Sequence, residues 1–441
     1  MASLGASRIL RLWAPLEAAW LFMAVEGPFL AAILARLPDP TTNLAAFGVA
    51  WGFAMLFESP VILIMSATTA LVENRHSLRK LQAFTYGLNG AVTLGLAVFV
   101  SPPVFRFVAG PLMGLPPDVA RLAHPACALL LPWPSAVGYR RFNQGILVRA
   151  GLTRLIAYGT ALRLSSMAAT AVALAALTPW PGAWVGTAAL SAGVVMEAAA
   201  SRFWARRSRR AMLATPSSPE YRLRPLGFAA IAHFYLPLAL TSIMALGVNP
   251  MVAFFLGRSR MALESLAVLP VVNGLAFVFS TAGLTFQEVA ITLFSVDRNW
   301  LPHLRRFAGW LALATSAALA AVALTPLLDL WLCQVSGLSP FLARFSRLPM
   351  VICVFLPGLI ALICFQRAML VSLRITRPIT WSTAVEVAGT GCALFALTQL
   401  AGWIGAVAAA AAMVLGKVAA MGYLLPRTAR TLSALEADQQ S

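Results

Sequence analysis

Charged and amide side chains stand in this sequence where almost everything around them is apolar. The densest group is Tyr139-Arg140-Arg141-Phe142-Asn143-Gln144, inside an apolar run over 118–148. At about 100° per residue on a helix, Arg140, Asn143 and Gln144 share one face and Arg141 lies beside it. Arginine presents a planar fork of donors that matches carboxylate and phosphate geometry. The chemistry on offer is recognition of an anion, with the guanidinium groups lining water or paired with carboxylates. Two placements are open: both arginines in a cavity, or both at the cytoplasmic interface if the span lies one turn away. Carboxylates supply a second chemistry. Glu26 abuts Gly27-Pro28, and Glu58 precedes Ser59-Pro60. Each is a candidate for proton coupling or for pairing with Arg140 and Arg141, because ionisable groups inside spans are functional candidates by default. Glu17 lies about 13 Å from Glu26 along a straight helix and on its opposite side, and is expected to pair with a nearby arginine.

The second half of the chain is more neutral. Asn249 precedes Pro250, and Asn273, Ser280 and Gln287 recur every seven residues with Glu288 adjacent. Gln366-Arg367 closes the set. The expected solute contacts are therefore Arg140, Arg141, Asn143, Gln144, Asn249, Asn273, Gln287, Gln366 and Arg367, with Glu26 and Glu58 as coupling groups. Glu197, Glu386, Arg163, His233 and Lys417 read as helix-end or inter-helix residues. No nucleotide-binding GxxxxGKS/T loop, HExxH or GxSxG is present, so neither an enzyme nor an ATP-driven pump is expected. The five cysteines, Cys127, Cys333, Cys353, Cys364 and Cys392, show no CxxC spacing, which implies neither a metal site nor a disulfide framework. No bound cofactor is expected; a coupling proton or sodium ion is the species in view.

Composition dictates what must position these groups. Of 441 residues 60% are hydrophobic and 11% charged, against roughly 25% charged in a soluble domain. The fitting solvent is lipid, in which each span needs about 20 mostly apolar residues and must be helical to pair its backbone. Spans are expected near 10–37, 43–72, 81–105, 118–148, 155–178, 183–205, 229–257, 262–295, 304–332, 339–372, 379–401 and 403–425. This is an all-α integral membrane protein of about twelve transmembrane helices. The stretch 99–125, with Pro102, Pro103, Pro111, Pro116 and Pro117, is expected to be a loop. The net charge of +18 is nearly all arginine and lies between spans. Arg75, Arg79 and Lys80, Arg149 and Arg154, Arg206 to Arg210, Arg222 and Arg224, Arg298, Arg305 and Arg306, and Arg374 and Arg377 share one side with both termini. The positive-inside rule makes that side cytoplasmic, and a bacterial inner membrane is the expected location. The same pattern argues against a nucleic-acid partner. A small-molecule solute and membrane lipids are the expected partners, and a monomer is expected. The N-terminus is too short for a signal peptide, so the first span is expected to serve as an uncleaved insertion signal.

The chain also repeats itself. At an offset of 222, Pro15 falls on Pro237, Pro28 on Pro250, Arg36 on Arg258, Gly52 on Gly274 and Gln144 on Gln366. One residue of slippage pairs Thr153-Arg154 with Thr376-Arg377. The halves are expected to be two pseudo-symmetric six-helix lobes, 1–205 and 229–426, joined by a cytoplasmic linker at 206–228 and followed by a cytoplasmic tail at 427–441. Parallel repeats of this kind place solute sites between the halves near the midplane. Pro28 and Pro250 are expected to kink the first and seventh helices.

This pattern resembles the multidrug/oligosaccharidyl-lipid/polysaccharide exporter superfamily, which includes the multidrug and toxin extrusion (MATE) proteins. Leu236-Pro237-Leu238-Ala239-Leu240 is similar to the start of the seventh helix in the progressive ankylosis family. Pro250, Val252, Phe255 and Arg258, then Ala262, Glu264, Ala267 and Leu269, follow that family's pattern into the eighth. Pro15-Leu16, Glu26 and Gly145-Ile146-Leu147 resemble its first and fourth helices. Arg140-Arg141 and Glu58 depart from it. The resemblance implies alternating-access export of an anion such as pyrophosphate, citrate or a nucleotide. The MATE group implies antiport of organic cations against protons or sodium, and related flippases imply lipid-linked glycans. A secondary transporter of a small organic or phosphate-bearing anion is the leading expectation, with cation antiport and glycan flipping as alternatives.

Overall fold

The computed structural model describes residues 2–440 apart from 73, 153, 215–226, 374 and 376. Arg222, Arg224, Arg374 and the repeat match of Thr153 with Thr376 therefore lie outside the described residues. Among the described residues twelve helical passes follow in order. α1 is Ala2–Ala24 continuing as Glu26–Leu34, and α2 is Pro40–Glu58 continuing as Ile64–Leu71. α3 is Arg75–Val100, α4 is Pro117–Leu129 continuing as Pro132–Arg149, α5 is Arg154–Leu177 and α6 is Gly182–Ala214. α7 is Phe228–Leu246 continuing as Val248–Gly257, α8 is Ala262–Val296 and α9 is Leu301–Ala323. α10 is Pro340–Cys353 continuing as Phe355–Ser372, α11 is Arg377–Phe395 and α12 is Gly405–Gln440. Among the described residues, 10 helices are long and apolar enough to cross a membrane. The other two passes, α2 and α4, are interrupted at 59–63 and 130–131.

Backbone chemistry explains the interruptions. Proline has no N–H, so Pro28 cannot bond the carbonyl one turn earlier, and Pro250 repeats the defect. The helix breaks at Val25 in α1 and at Gly247 in α7, a separation of 222 residues. Pro60 breaks α2 inside its span, and the Tyr235 hydroxyl donates to the freed Pro60 carbonyl at 2.6 Å. α8, the repeat partner of α2, runs unbroken with Pro270 inside it.

The repeat extends to local geometry. Asp39 and Met261, again 222 apart, hold left-handed backbone at φ 51° and 54° just before α2 and α8. Asn43 Oδ1 of α2 accepts from Ala183 N at the start of α6 (2.9 Å), and Ser265 Oγ of α8 accepts from Ala406 N at the start of α12 (3.0 Å). Helix N-termini leave backbone donors unsatisfied, and each half meets this one with a side chain from another helix.

Two expectations need correction. The segment 99–125 is largely helical: Pro102–Phe107 forms a turn of helix, Val108–Leu112 continues it with π geometry, and Pro117 opens α4. Prolines at the first positions of a helix start it, because the N–H they lack has no intrahelical partner there. The expected linker begins inside α6, which carries Arg206, Arg207, Arg209 and Arg210 before ending at Ala214. The C-terminal residues after Pro426 likewise continue α12.

Packing divides the chain into two compact units, Leu37–Phe254 and Met1–Arg36 with Phe255–Ser441. These units exchange the first helix of each sequence half. In the second unit, Ile9 of α1 enters a core with Phe286 of α8, Leu304 of α9 and Met369 of α10. Trp13 Nε1 donates to the Ala282 carbonyl at 3.1 Å. Glu17 accepts from the Thr281 hydroxyl at 2.7 Å and from the Thr285 hydroxyl. The expected arginine partner of Glu17 is thus replaced by two threonines of α8, which keep a buried carboxylate hydrogen-bonded.

α8 and α10 touch through backbone at Gly283, where a Cβ would stand 2.7 Å from Ala361 Cα. Gly283→Ala is expected to destabilise the protein by about 1–3 kcal/mol through overpacking. A lower thermal midpoint in detergent checks this, and an unchanged midpoint contradicts it.

Candidate functional site

The unit Leu37–Phe254 buries a charged cluster on three consecutive helices. Arg140 of α4 forms an ion pair with Glu197 of α6. Gln144, one turn further along α4, donates to the other Glu197 oxygen at 3.0 Å. Arg163 of α5 approaches the same carboxylate at 3.5 Å. Glu197 is fully buried, and Arg140 and Arg163 are nearly so. The predicted shared face of Arg140 and Gln144 is therefore real, and both residues use it on one carboxylate.

Arg141 is half-buried beside this cluster. It lies within electrostatic reach of Arg140, Glu58, Glu197 and Arg163. Its Nε is buried without a hydrogen-bond partner among the described residues. Glu58 sits at the break in α2, buried, and accepts from Trp133 Nε1 at 2.8 Å. Counting Arg141 itself, the charged groups within its reach among the described residues are three guanidinium groups and two carboxylates, an excess of one positive charge. Asn143 turns its amide to the Tyr139 carbonyl of its own helix (2.9 Å), while its Oδ1 stays buried and unbonded.

Local sequence makes these approaches possible. A Cβ on Gly145 would stand 2.5 Å from Thr68 Cβ, so the missing side chain lets α4 close on α2. A Cβ on Gly193 would stand 2.9 Å from the Arg163 carbonyl, which brings α6 against α5 one turn before Glu197.

The other unit carries a related cluster on the matching helices. Lys417 of α12 meets Glu386 of α11 at 2.6 Å, and Arg367 of α10 approaches Glu386 at 3.5 Å. Arg163 and Glu386 are 223 residues apart, as are Gly193 and Gly416. A Cβ on Gly416 would stand 2.9 Å from the Glu386 carbonyl. The charges are exchanged between helices: base on α5 and acid on α6 in one half, acid on α11 and base on α12 in the other. Gln366, beside Arg367, is buried with an unbonded Oε1.

Asn249, Asn273 and Gln287 join neither cluster through a hydrogen bond or ion pair among the described residues. Glu26 is buried just after the break in α1. Asn249 is half-buried, and its carbonyl carbon lies 3.7 Å from the position of a Cβ on Gly52, so backbone packing fills that place. Asn273 and Gln287 are half-buried on α8. Ser280 between them bonds its own helix at Ala276 O (2.7 Å), and Glu288 is exposed. The main correction concerns partners. Arg140 finds its carboxylate in Glu197, not in Glu26 or Glu58. Glu197, Arg163, Glu386 and Lys417, read from sequence as helix-end or inter-helix residues, pair between helices at the centres of the two clusters. Their signal was available: Arg163 and Glu386 are ionisable residues in spans at the repeat offset, each with a small residue matched across the next helix.

No protein-family model and no curated protein matches this sequence. Solved structures do. An inward-facing multidrug resistance MATE family transporter of the MOP superfamily superposes with a TM-score of 0.75 at 14% identity, over 95% of this chain and 96% of that one. The fold is that of the MATE transporters. The lipid II flippase MurJ, in an inward closed conformation, shares it with a TM-score of 0.72 at 12% identity, over 93% of this chain and 87% of that one. A MOP superfamily transporter from Pyrococcus furiosus, described for the reverse polarity of its binding pocket, gives 0.63 at 15% identity over 98% and 97%. The MATE fold accounts for the two-lobed repeat and for an integral membrane chain. At these identities the likeness concerns architecture, and residues such as Arg141 and Glu197 must be argued from their own geometry.

Proposed function

We propose that this protein is a secondary active transporter that exports a small organic or phosphate-bearing anion by alternating access between its two lobes. The observation that carries the reading is the surplus positive charge around Arg141. Arg140 and Arg163 spend their charge on Glu197, which also fixes their geometry. Arg141 Nε is buried and unbonded among the described residues, as is Arg140 Nε, but Arg141 also has no ion pair to a described carboxylate, and a buried donor without a partner is costly. An anionic solute would relieve that cost and meet the fork of donors. Glu197 is a positioning residue in this reading, since it acts through Arg140 and Gln144. Export, as opposed to uptake, and kinship with the progressive ankylosis family rest on the sequence resemblance. Arg140, Gln144 and Arg141 form the first contact set, with Asn143 Oδ1 as an acceptor left unbonded among the described residues. Asn249, Asn273, Gln287 and Arg367 are proposed as further solute contacts from their placement in the sequence. The test is anion flux into proteoliposomes by Arg141→Gln, developed in the Discussion.

A second reading has its own support. Glu58 is a buried carboxylate at a helix interruption, held by the Trp133 indole, and interrupted helices are where transporters coordinate coupling ions. Together with Glu26 it would serve a cation antiporter driven by protons or sodium. Under anion transport coupled through Glu58, Glu58→Gln is expected to slow ion-driven flux by about tenfold or more, a loss of at least about 1.4 kcal/mol, while leaving solute exchange without a gradient intact. Equal loss of both would place Glu58 in the solute site. The likeness in fold to a lipid II flippase supports lipid-linked glycans as a third cargo class.

A further inference from the structure

A groove of 1070 Å³ lies wholly within the unit formed by Met1–Arg36 and Phe255–Ser441. α9 supplies one wall with Arg306, Trp310 and Leu313, α12 the other with Leu425, and Gln366 of α10 lies among the lining residues. Trp310 is 70% exposed and Leu313 64%. These large apolar side chains face the surroundings of a membrane-spanning unit, so hydrocarbon is the solvent they meet. Arg306, Trp310 and Leu313 fall on one stripe of α9 at helical spacing, running about 10 Å from charge through aromatic ring to aliphatic side chain. Arg305 adds a second cation at the charged end. Both arginines are exposed, and neither forms an ion pair with a described residue. Gly309, between them and Leu313, has open space where a Cβ would stand, which keeps the groove clear.

We propose that this groove binds an acidic phospholipid, with the phosphate at Arg305 and Arg306 and an acyl chain along Trp310, Leu313 and Leu425. Charge complementarity selects this occupant. Basic groups near the membrane surface attract anionic headgroups, and tryptophan favours the interface between headgroup and hydrocarbon. The Gln366 carbonyl oxygen, buried on the lining and unbonded, would accept from a headgroup hydroxyl, as a glycerol headgroup offers. The repeat does not produce this site by itself, because the positions 223 residues earlier, Gln82 and Ala83, are neutral. The inference is independent of the solute transported.

The test uses the full-length protein in nanodiscs containing brominated phosphatidylglycerol or brominated phosphatidylcholine. The tryptophan quenching contributed by Trp310 is obtained as the difference from Trp310→Phe. The expected result is preferential quenching by phosphatidylglycerol of about tenfold in apparent affinity, lost in the Arg305→Gln/Arg306→Gln variant while quenching by phosphatidylcholine stays unchanged. Gly309→Leu, which fills the groove and leaves both arginines, is expected to weaken quenching by both lipids. Equal quenching by the two lipids in the unmodified protein would overturn the proposal, as would a preference retained without the arginines. Abolition of the preference by millimolar inorganic phosphate at constant ionic strength would mark a free-anion site and overturn the lipid assignment. If the double variant does not fold, retention of full quenching in Gly309→Leu overturns the proposal by itself.

Discussion

Glu197→Ala is expected to destabilise the protein by about 3–5 kcal/mol, the range for removing one partner of a buried ion pair. The size follows from what is left behind. Arg140 and Arg163 lose their carboxylate inside a span, and Gln144 loses its acceptor. The surplus of buried positive charge rises with no solvent to offset it. The midpoint of thermal unfolding in detergent measures the effect. Arg140→Ala made on top of Glu197→Ala is expected to recover part of the loss, at least about 1 kcal/mol, because residues in one ion network couple. A double variant that is the sum of two independent losses would contradict the pairing. Glu197→Ala alone within about 0.5 kcal/mol of the unmodified protein would place it among surface-like substitutions and remove the cluster's structural role.

Arg141→Gln is the second large expectation, and it concerns flux rather than stability. Among the described residues Arg141 has no hydrogen-bonded or ion-pair partner of the kind that holds Arg140, so its loss is expected to leave the thermal midpoint near that of the unmodified protein. The substitution removes the surplus charge and the free donors while keeping an amide of similar reach. An ion pair or charged hydrogen bond to a bound anion is worth roughly 1.5–3 kcal/mol. Anion flux is accordingly expected to fall at least about tenfold. Arg141→Lys is expected to recover part of the flux, since charge returns without the planar fork. Full flux in Arg141→Gln at normal stability would mean that the solute does not contact this residue.

Much of the architecture was legible because lipid imposes it. Sixty per cent apolar residues with 11% charged leaves the chain no soluble surface, and the repeat offset ties Pro28 to Pro250. Both tie points became helix breaks at Val25 and Gly247. Other features of the sequence mislead for physical reasons. Prolines in 99–125 suggested a loop, although proline at the start of a helix promotes it. Arginines after Arg206 suggested a linker, although arginine is a good helix former. The site was harder. Sequence spacing gave the face shared by Arg140 and Gln144, because helical geometry is local. It could not give Glu197, fifty-three residues beyond Gln144, because pairing across helices depends on packing. Glu58 drew attention as a partner for arginine, while the structure gives it the Trp133 indole, a long-range contact of the same kind. The repeat held the missing hint. Arg163 and Glu386 occupy equivalent positions with opposite charge, which is improbable for lipid-facing residues and natural for partners of charges on neighbouring helices.

The most direct test of anion transport is a paired flux assay on one preparation. Proteoliposomes of the unmodified protein, Arg141→Gln and Glu58→Gln would be loaded and assayed for pyrophosphate or citrate and, in parallel, for an organic dye cation such as ethidium. Anion flux that collapses in Arg141→Gln, with no dye movement above protein-free liposomes, is the predicted result. Dye flux that is indifferent to Arg141→Gln and abolished by Glu58→Gln, with no anion moved by any variant, would contradict it.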